Sequence, residues 1–171
     1  MNTEFDLYGF DLPCGLIHDQ KLSNVKVEND TIVLTFDIEL YPQDYSDDTI
    51  YNKYKDFNHC DMIIEMPECS DPNLQFQTTA NSKGEFKGLQ LEVDDFVYAL
   101  NNASSAEFVD CYVRCGEVII DLAVGFYDAK DDCKKYKNYT WCVINTEASK
   151  LKWNWYWLKN SDFSGFFNLM L

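Results

Sequence analysis

Apolar and polar residues alternate with period two over much of this chain. Ile32, Leu34, Phe36, Ile38 and Leu40 fall on one side, and Thr31, Thr35, Asp37 and Glu39 on the other, where Val33 is the one apolar residue. This alternation, rich in β-branched and aromatic residues, predicts a half-buried strand. Val25 and Val27 alternate in the same way upstream. Asn29 and Asp30, which tolerate positive φ, separate the two runs. The pattern predicts an antiparallel hairpin, with a strand over Lys21–Glu28 paired to one over Thr31–Tyr41.

Similar signals recur along the chain. Cys60–Met66 predicts a strand with Met62, Ile64 and Met66 on one side, closed by Pro67. Leu74–Thr79 predicts another, Asn81–Gly84 a turn, and Phe86–Val93 a further strand with Leu89, Leu91 and Val93 in register. Phe96, Val97, Ala99 and Leu100, after Asp94 and Asp95, fit one or two helical turns. Glu107–Arg114 offers Val109, Cys111 and Val113 on one face, and Gly116 marks a tight turn. Glu117–Tyr127 offers Val118, Ile120, Leu122, Val124 and Phe126. After a charged loop over Ala129–Lys137, Asn138–Glu147 follows with Tyr139, Trp141 and Val143, and Lys150–Leu158 with Leu151, Trp153, Trp155 and Trp157 in one row. Closely spaced turn signals with hardly any helix predict an all-β or β-dominated α+β domain. The expected architecture is a curled antiparallel sheet with one or two short helices. One segment departs from the pattern. Gln43–Asn58, after Pro42, is polar, acidic and rich in Tyr; Ser46 or Asp47 could cap a short helix there, and a loop insertion fits equally well.

Length and composition agree with an ordered core. A chain of 171 residues predicts one domain, which hides roughly 70% of its unfolded surface. The aromatic fraction of 16% favours strands. Charge adds a functional constraint. With 29 acidic and 14 basic side chains the net charge is −15. Arg114 is the one arginine. Phosphate binding relies on clustered Lys and Arg, so neither nucleic acid nor an anionic membrane is expected as a partner. A basic partner would be attracted and its encounter accelerated; acidity that serves solubility alone is the competing reading. The seven cysteines include no Cys-x-x-Cys. The opening residues MNTEFDLYGFDLPCG have neither a basic n-region nor an apolar h-region. Reduced thiols in a cytoplasmic protein are therefore expected.

No sequence motif for catalysis or cofactor binding is present, and no cofactor is expected. The two histidines, His18 and His59, lie beside Asp19 and Cys60. A metal site would need three or four ligands, and a histidine-aspartate pair that hydrogen-bonds a turn accounts better for the first. Cysteine catalysis would need a Cys, a His and an orienting group, which nothing local supplies. The row Trp153, Trp155 and Trp157 would suit a sugar or peptide platform, but inward-facing indoles are the commoner use of such a row. Three acidic clusters stand out, Asp94 with Asp95 and two in loops. Asp44, Asp47 and Asp48 share the Gln43–Asn58 segment with Tyr45, Tyr51 and Tyr54, and aromatic anchors with acidic neighbours suit a binding hot spot. Asp128, Asp131 and Asp132 follow the longest strand; their spacing lacks the Gly and the closing Glu of an EF-hand loop.

Leu16, Ile17, His18, Asp19, Leu22, Val25 and Val27, followed by Asn29 to Phe36, form a pattern that resembles the opening of several small bacterial β-rich families. Some of these are immunity proteins of polymorphic toxin systems, which bind and neutralise a cognate toxin. The resemblance covers residues 16–36 and does not include the Gln43–Asn58 segment. It implies a structural role for His18 and Asp19, and a non-enzymatic protein that blocks a basic toxin domain, such as a nuclease, with an acidic face. The alternatives are a small-ligand or carbohydrate-binding module using the Trp row and, third, a cysteine-based enzyme.

Overall fold

The computed structural model describes residues 2–5, 17–41 and 48–158. Its backbone is a ten-stranded sheet in the order β1-β10-β4-β3-β2-β7-β8-β9-β5-β6. The strands are β1 (Asn2–Phe5), β2 (Lys21–Glu28), β3 (Thr31–Asp37), β4 (His59–Glu65), β5 (Asn73–Gln77), β6 (Gly88–Gln90), β7 (Ser105–Arg114), β8 (Glu117–Gly125), β9 (Trp141–Glu147) and β10 (Lys150–Tyr156). Every neighbouring pair is antiparallel. Two helices, α1 (Asp48–Tyr54) and α2 (Val93–Asn101), and a 3-10 turn at Lys134–Tyr136 complete the described elements. The fold is β-dominated.

The predicted hairpin forms. Asn29 and Asp30 take φ of 45° and 58°, which gives the tight turn between β2 and β3. Ile32, Leu34, Phe36 and Ile38 are buried. The second strand ends at Asp37, short of the expected Tyr41. Past it the Gln20 side chain takes over the pairing, accepting from the Glu39 amide at 2.7 Å and donating to its carbonyl at 3.2 Å.

The sheet has two halves. β2 pairs with β7 only at Lys21↔Glu107, with flanking bonds from Asp19 N–H to the Phe108 carbonyl and from Phe108 N–H to the Gln20 carbonyl. Beyond that joint β2 stays paired with β3 but no longer pairs with β7. Asn101, at the end of α2, satisfies the exposed backbone there: its side chain accepts from Val25 N–H and donates to Val25 C=O, both at 2.8 Å. The chain crosses between the halves at β4–β5 and at β9–β10. One face of both halves lines a shared core. Phe36 of β3 meets Phe108 of β7 edge-on at 5.6 Å. In the second half Phe76 packs against Phe96, Phe126 and Tyr136.

Several expectations need correction. Phe86–Val93 is not one strand: only Gly88–Gln90 pairs, and Val93 opens α2. Asp94 and Asp95 in the first turn favour the helix N-terminus, and Phe96, Ala99 and Leu100 supply its buried face. The charged loop Ala129–Lys137 buries Ala129, Cys133 and Tyr136 through its 3-10 turn. In β7 the expected row Val109, Cys111 and Val113 is broken. A bulge between Phe108 and Asp110 changes the phase, so Ala106 and Phe108 point inward before it and Cys111 after it. In β9 the expected row of Tyr139, Trp141 and Val143 is not the buried one. Cys142, Ile144 and Thr146 are buried instead, because they lie opposite Leu122, Ile120 and Val118, the inward row of β8.

Trp153 and Trp155 are fully buried, whereas Trp157, past the end of β10, is 57% exposed. The three indoles therefore do not form an exposed row. Cys60, Cys69, Cys111, Cys115, Cys133 and Cys142 are free thiols; Cys14 lies outside the described residues.

Candidate functional site

The two halves of the sheet treat their outer faces differently. In the first half polar groups satisfy one another. Asp61 accepts from Thr35 Oγ1 at 2.8 Å and from the Tyr156 hydroxyl at 3.0 Å. His59 Nε2 lies 3.3 Å from Asp37, and its ring stacks on Tyr156. Lys152 pairs with Glu65. Burial, with Asp61 beside it, pushes the Tyr156 hydroxyl pKa well up.

The second half is not balanced in this way. The β7 bulge turns Asp110 outward, directly opposite Asp121 on β8; re-aiming a side chain is a recurrent use of a bulge. Burial and the neighbouring Asp110 charge both raise the Asp121 pKa. Among the described residues neither carboxylate has a basic partner. Asp110 accepts instead from the Cys111 amide at 2.8 Å, and its carboxylate beside the Tyr112 hydroxyl raises the Tyr112 pKa.

Exposed aromatic residues accompany this pair, Tyr112 beside Asp110 and Trp141 and Phe86 near Asp121. Tyr112 is 53% exposed, Trp141 39% and Phe86 57%. Trp141 points outward because its neighbour Cys142 points inward, and it sits between Ala123 and Gln77 in the ladder. Phe86 comes from the β5–β6 connection. That loop is shaped by Asn81, whose side chain accepts from the amides of Lys83 at 2.8 Å and Glu85 at 3.1 Å, with Gly84 at φ 78°. The Thr78 hydroxyl fastens its far end by accepting from Lys87 N–H at 3.0 Å. Trp141, Phe86, Asp121, Val143, Gln77 and Thr78 line a cleft of about 230 Å³. It combines aromatic surface, a carboxylate and an amide on a rigid sheet.

Like charges directly opposite each other in an antiparallel pair destabilise the sheet by about 0.2–1 kcal/mol. Asp121→Asn should therefore stabilise the fold at neutral pH by an amount in that range. The sign follows from the raised pKa. In the folded state Asp121 holds its proton to higher pH than in the unfolded chain, so the wild type loses stability as pH rises between those two values. The advantage of Asn should appear above that window and vanish below it. Urea titrations at neutral and at acidic pH test this; a destabilised variant at neutral pH would refute the electrostatic account of the pair.

The acidic loops occupy other places. Asp44, Tyr45 and Asp47 lie outside the described residues. Asp48 opens α1. Tyr51 is partly buried. Tyr54 is buried, 4.6 Å from Trp155, so it is a core residue and not an exposed anchor: the apolar face of a helix must cover the sheet. Asp128, Asp131 and Asp132 are exposed; Asp131 pairs with Lys134, and Asp132 accepts from Tyr98, which lowers the Asp132 pKa. His18 pairs with Asp19 at 3.1 Å beside the β2–β7 joint, and His59 is engaged by Asp37 and Asn58. Among the described residues no three His, Cys, Asp or Glu side chains are placed to hold a metal ion, and no helix is long and apolar enough to cross a membrane.

Asp110, Tyr112 and Trp141 were not legible as part of a site with Asp121 and Phe86, because the outward faces of β7 and β9 depend on a bulge and on cross-strand register. One signal was present: the consecutive apolar pair Phe108-Val109 marks the point in β7 where the alternation changes phase. Comparison of the chain with protein-family models, curated proteins and solved structures returns no match.

Proposed function

We propose that this chain is a non-enzymatic binding protein that holds a basic protein partner against the outer face of β7, β8 and β9. Its closest functional class is that of a bacterial immunity protein, and its partner a basic toxin domain such as a nuclease. The observation that carries this reading is the opposed pair Asp110–Asp121, with exposed Tyr112 beside Asp110 and exposed Trp141 and Phe86 in the cleft that Asp121 lines. A face that keeps two uncompensated carboxylates costs stability, and such costs are typical of functional surfaces. Exposed Tyr and Trp beside desolvated charge form the usual composition of a hot spot. The net charge of −15 adds long-range attraction for a cationic partner. The free thiols support a cytoplasmic setting.

The test is capture of a partner from the source organism, followed by association kinetics at several salt concentrations. The expected partner is basic, associates faster at low salt, and dissociates faster from Asp110→Asn and Tyr112→Ala variants. Variants of Asp128, Asp131 and Asp132 should change mainly the association rate, as rim charges do. An acidic partner, or kinetics indifferent to both sets of variants, refutes the reading. The cleft beside Trp141 gives a specific observation in favour of the second reading, a small-ligand or carbohydrate module. A saturable oligosaccharide-induced shift of the Trp141 signal would put that reading first.

A further inference from the structure

The cleft between β5, β8, β9 and the Asn81 loop has a composition that selects a particular side chain. Its floor carries Asp121, with Val143 beside it in the β8–β9 ladder. Trp141 and Phe86 contribute aromatic surface, and Gln77 and Thr78 contribute polar groups. Both aromatics are exposed, although an ordinary outer sheet face would be covered by polar residues. Among the described residues no cation of the chain answers the Asp121 carboxylate. The basic residues of the neighbouring loop, Lys83 and Lys87, are exposed and do not line the cleft.

We infer that this cleft receives an arginine side chain of the protein partner, with the guanidinium against Trp141 and Phe86 and hydrogen-bonded to Asp121. The inference rests on the basic-partner reading above and names the residue by which the partner is gripped. Three physical reasons select arginine over lysine. The guanidinium is planar and weakly hydrated, so it stacks on aromatic faces at low desolvation cost. Its donors form a fork that matches a carboxylate. It keeps its charge where burial would strip a proton from an ammonium group. The site also explains why the Asp110–Asp121 repulsion is retained: a bound cation turns a destabilising pair into an attractive one.

The test uses the whole chain, isotope-labelled, titrated with the capped tripeptides Gly-Arg-Gly, Gly-Lys-Gly and Gly-Gly-Gly and with a neutral oligosaccharide, while the Trp indole N–H resonances are followed. Gly-Arg-Gly is expected to shift the Trp141 indole resonance saturably, at least several-fold more tightly than Gly-Lys-Gly. Asp121→Asn should weaken this at least tenfold, and Phe86→Ala, which leaves the Trp141 reporter in place, should weaken it at least several-fold. The indole resonances of the buried Trp153 and Trp155 should not move, which verifies that the fold is intact. Equal response to lysine, a response to the sugar in place of arginine, or no saturable shift would each overturn the inference. The two readings fail separately. A basic partner that binds the Trp141→Ala variant as tightly as the wild type removes the arginine site and leaves the partner reading. A saturable arginine response in a protein whose captured partner is acidic removes the partner reading and leaves the cleft.

Discussion

Phe36→Ala should cost about 3–5 kcal/mol of folding stability, the range for an aromatic side chain removed from a packed interior. Phe36 is fully buried in β3, and its ring meets Phe108 of β7 edge-on at 5.6 Å. That contact lies across the joint between the two halves of the sheet, where β2 and β7 share only the Lys21↔Glu107 ladder position and the bonds beside it. With so few backbone bonds at the joint, side-chain packing must hold the halves together. A double-mutant cycle between Phe36 and Phe108 should therefore show coupling of about 0.5–1.5 kcal/mol beyond the area each buries. Denaturant titration measures both quantities. A loss below about 1 kcal/mol for Phe36→Ala, far under the core-truncation range, would place this ring at the surface and refute the register of β3.

Phe76→Ala should have an effect of similar size, about 3–5 kcal/mol, for a different reason. Phe76 sits at the middle of an aromatic cluster in the second half. Its ring lies 5.2 Å from Tyr136 of the 3-10 turn, 5.4 Å from Phe126 and 6.1 Å from Phe96 of α2. It thus fastens a helix and a loop to β5 at once. The loss should be local as well as global. Amide exchange should accelerate over the 129–139 segment, where the Tyr136 and Tyr139 amides are held by bonds to Cys133 and Tyr136 carbonyls, while β3 and β4 keep their protection until global unfolding. Uniform acceleration across both halves would show that the cluster does not act as a separate unit. Gln75 and Gln77 flank Phe76 on the outward face, and Gln77 lines the cleft. The variant therefore also tests whether the core behind β5 keeps the cleft in shape.

Strand identity and turn positions were legible because they follow from local chemistry. Alternation of apolar and polar residues marks β3, β4, β5, β8 and β10, with β-branched residues prominent in β3 and β8. Positive φ at Asn29, Asp30 and Gly116 needs residues that tolerate it, so those turns could be located without a structure. Inward and outward faces were legible wherever one row was plainly more apolar than the other, as in β3 and β8.

What remained hidden depends on partners distant in sequence. β9 reads WCVINTE, apolar on both faces, so its orientation waited on the register with β8, where Leu122 and Ile120 draw Cys142 and Ile144 inward and leave Trp141 outside. In β7 a single added residue reversed the alternation and turned Asp110 toward Asp121. Tyr54 looked like an exposed anchor within an acidic segment until the sheet supplied Trp155 for it to cover. The row of three indoles divided because β10 ends at Tyr156, leaving Trp157 beyond the sheet. The sequence by itself determined the alternation of strands such as β3 and β8, the turns at Asn29-Asp30 and at Gly116, and the overall charge, since these depend on residues that are neighbours along the chain. Only the tertiary structure decided which face of β7 and β9 meets solvent, and hence the acidic and aromatic site. That choice is made by cross-strand contacts, whose energies exist only once the sheet is assembled.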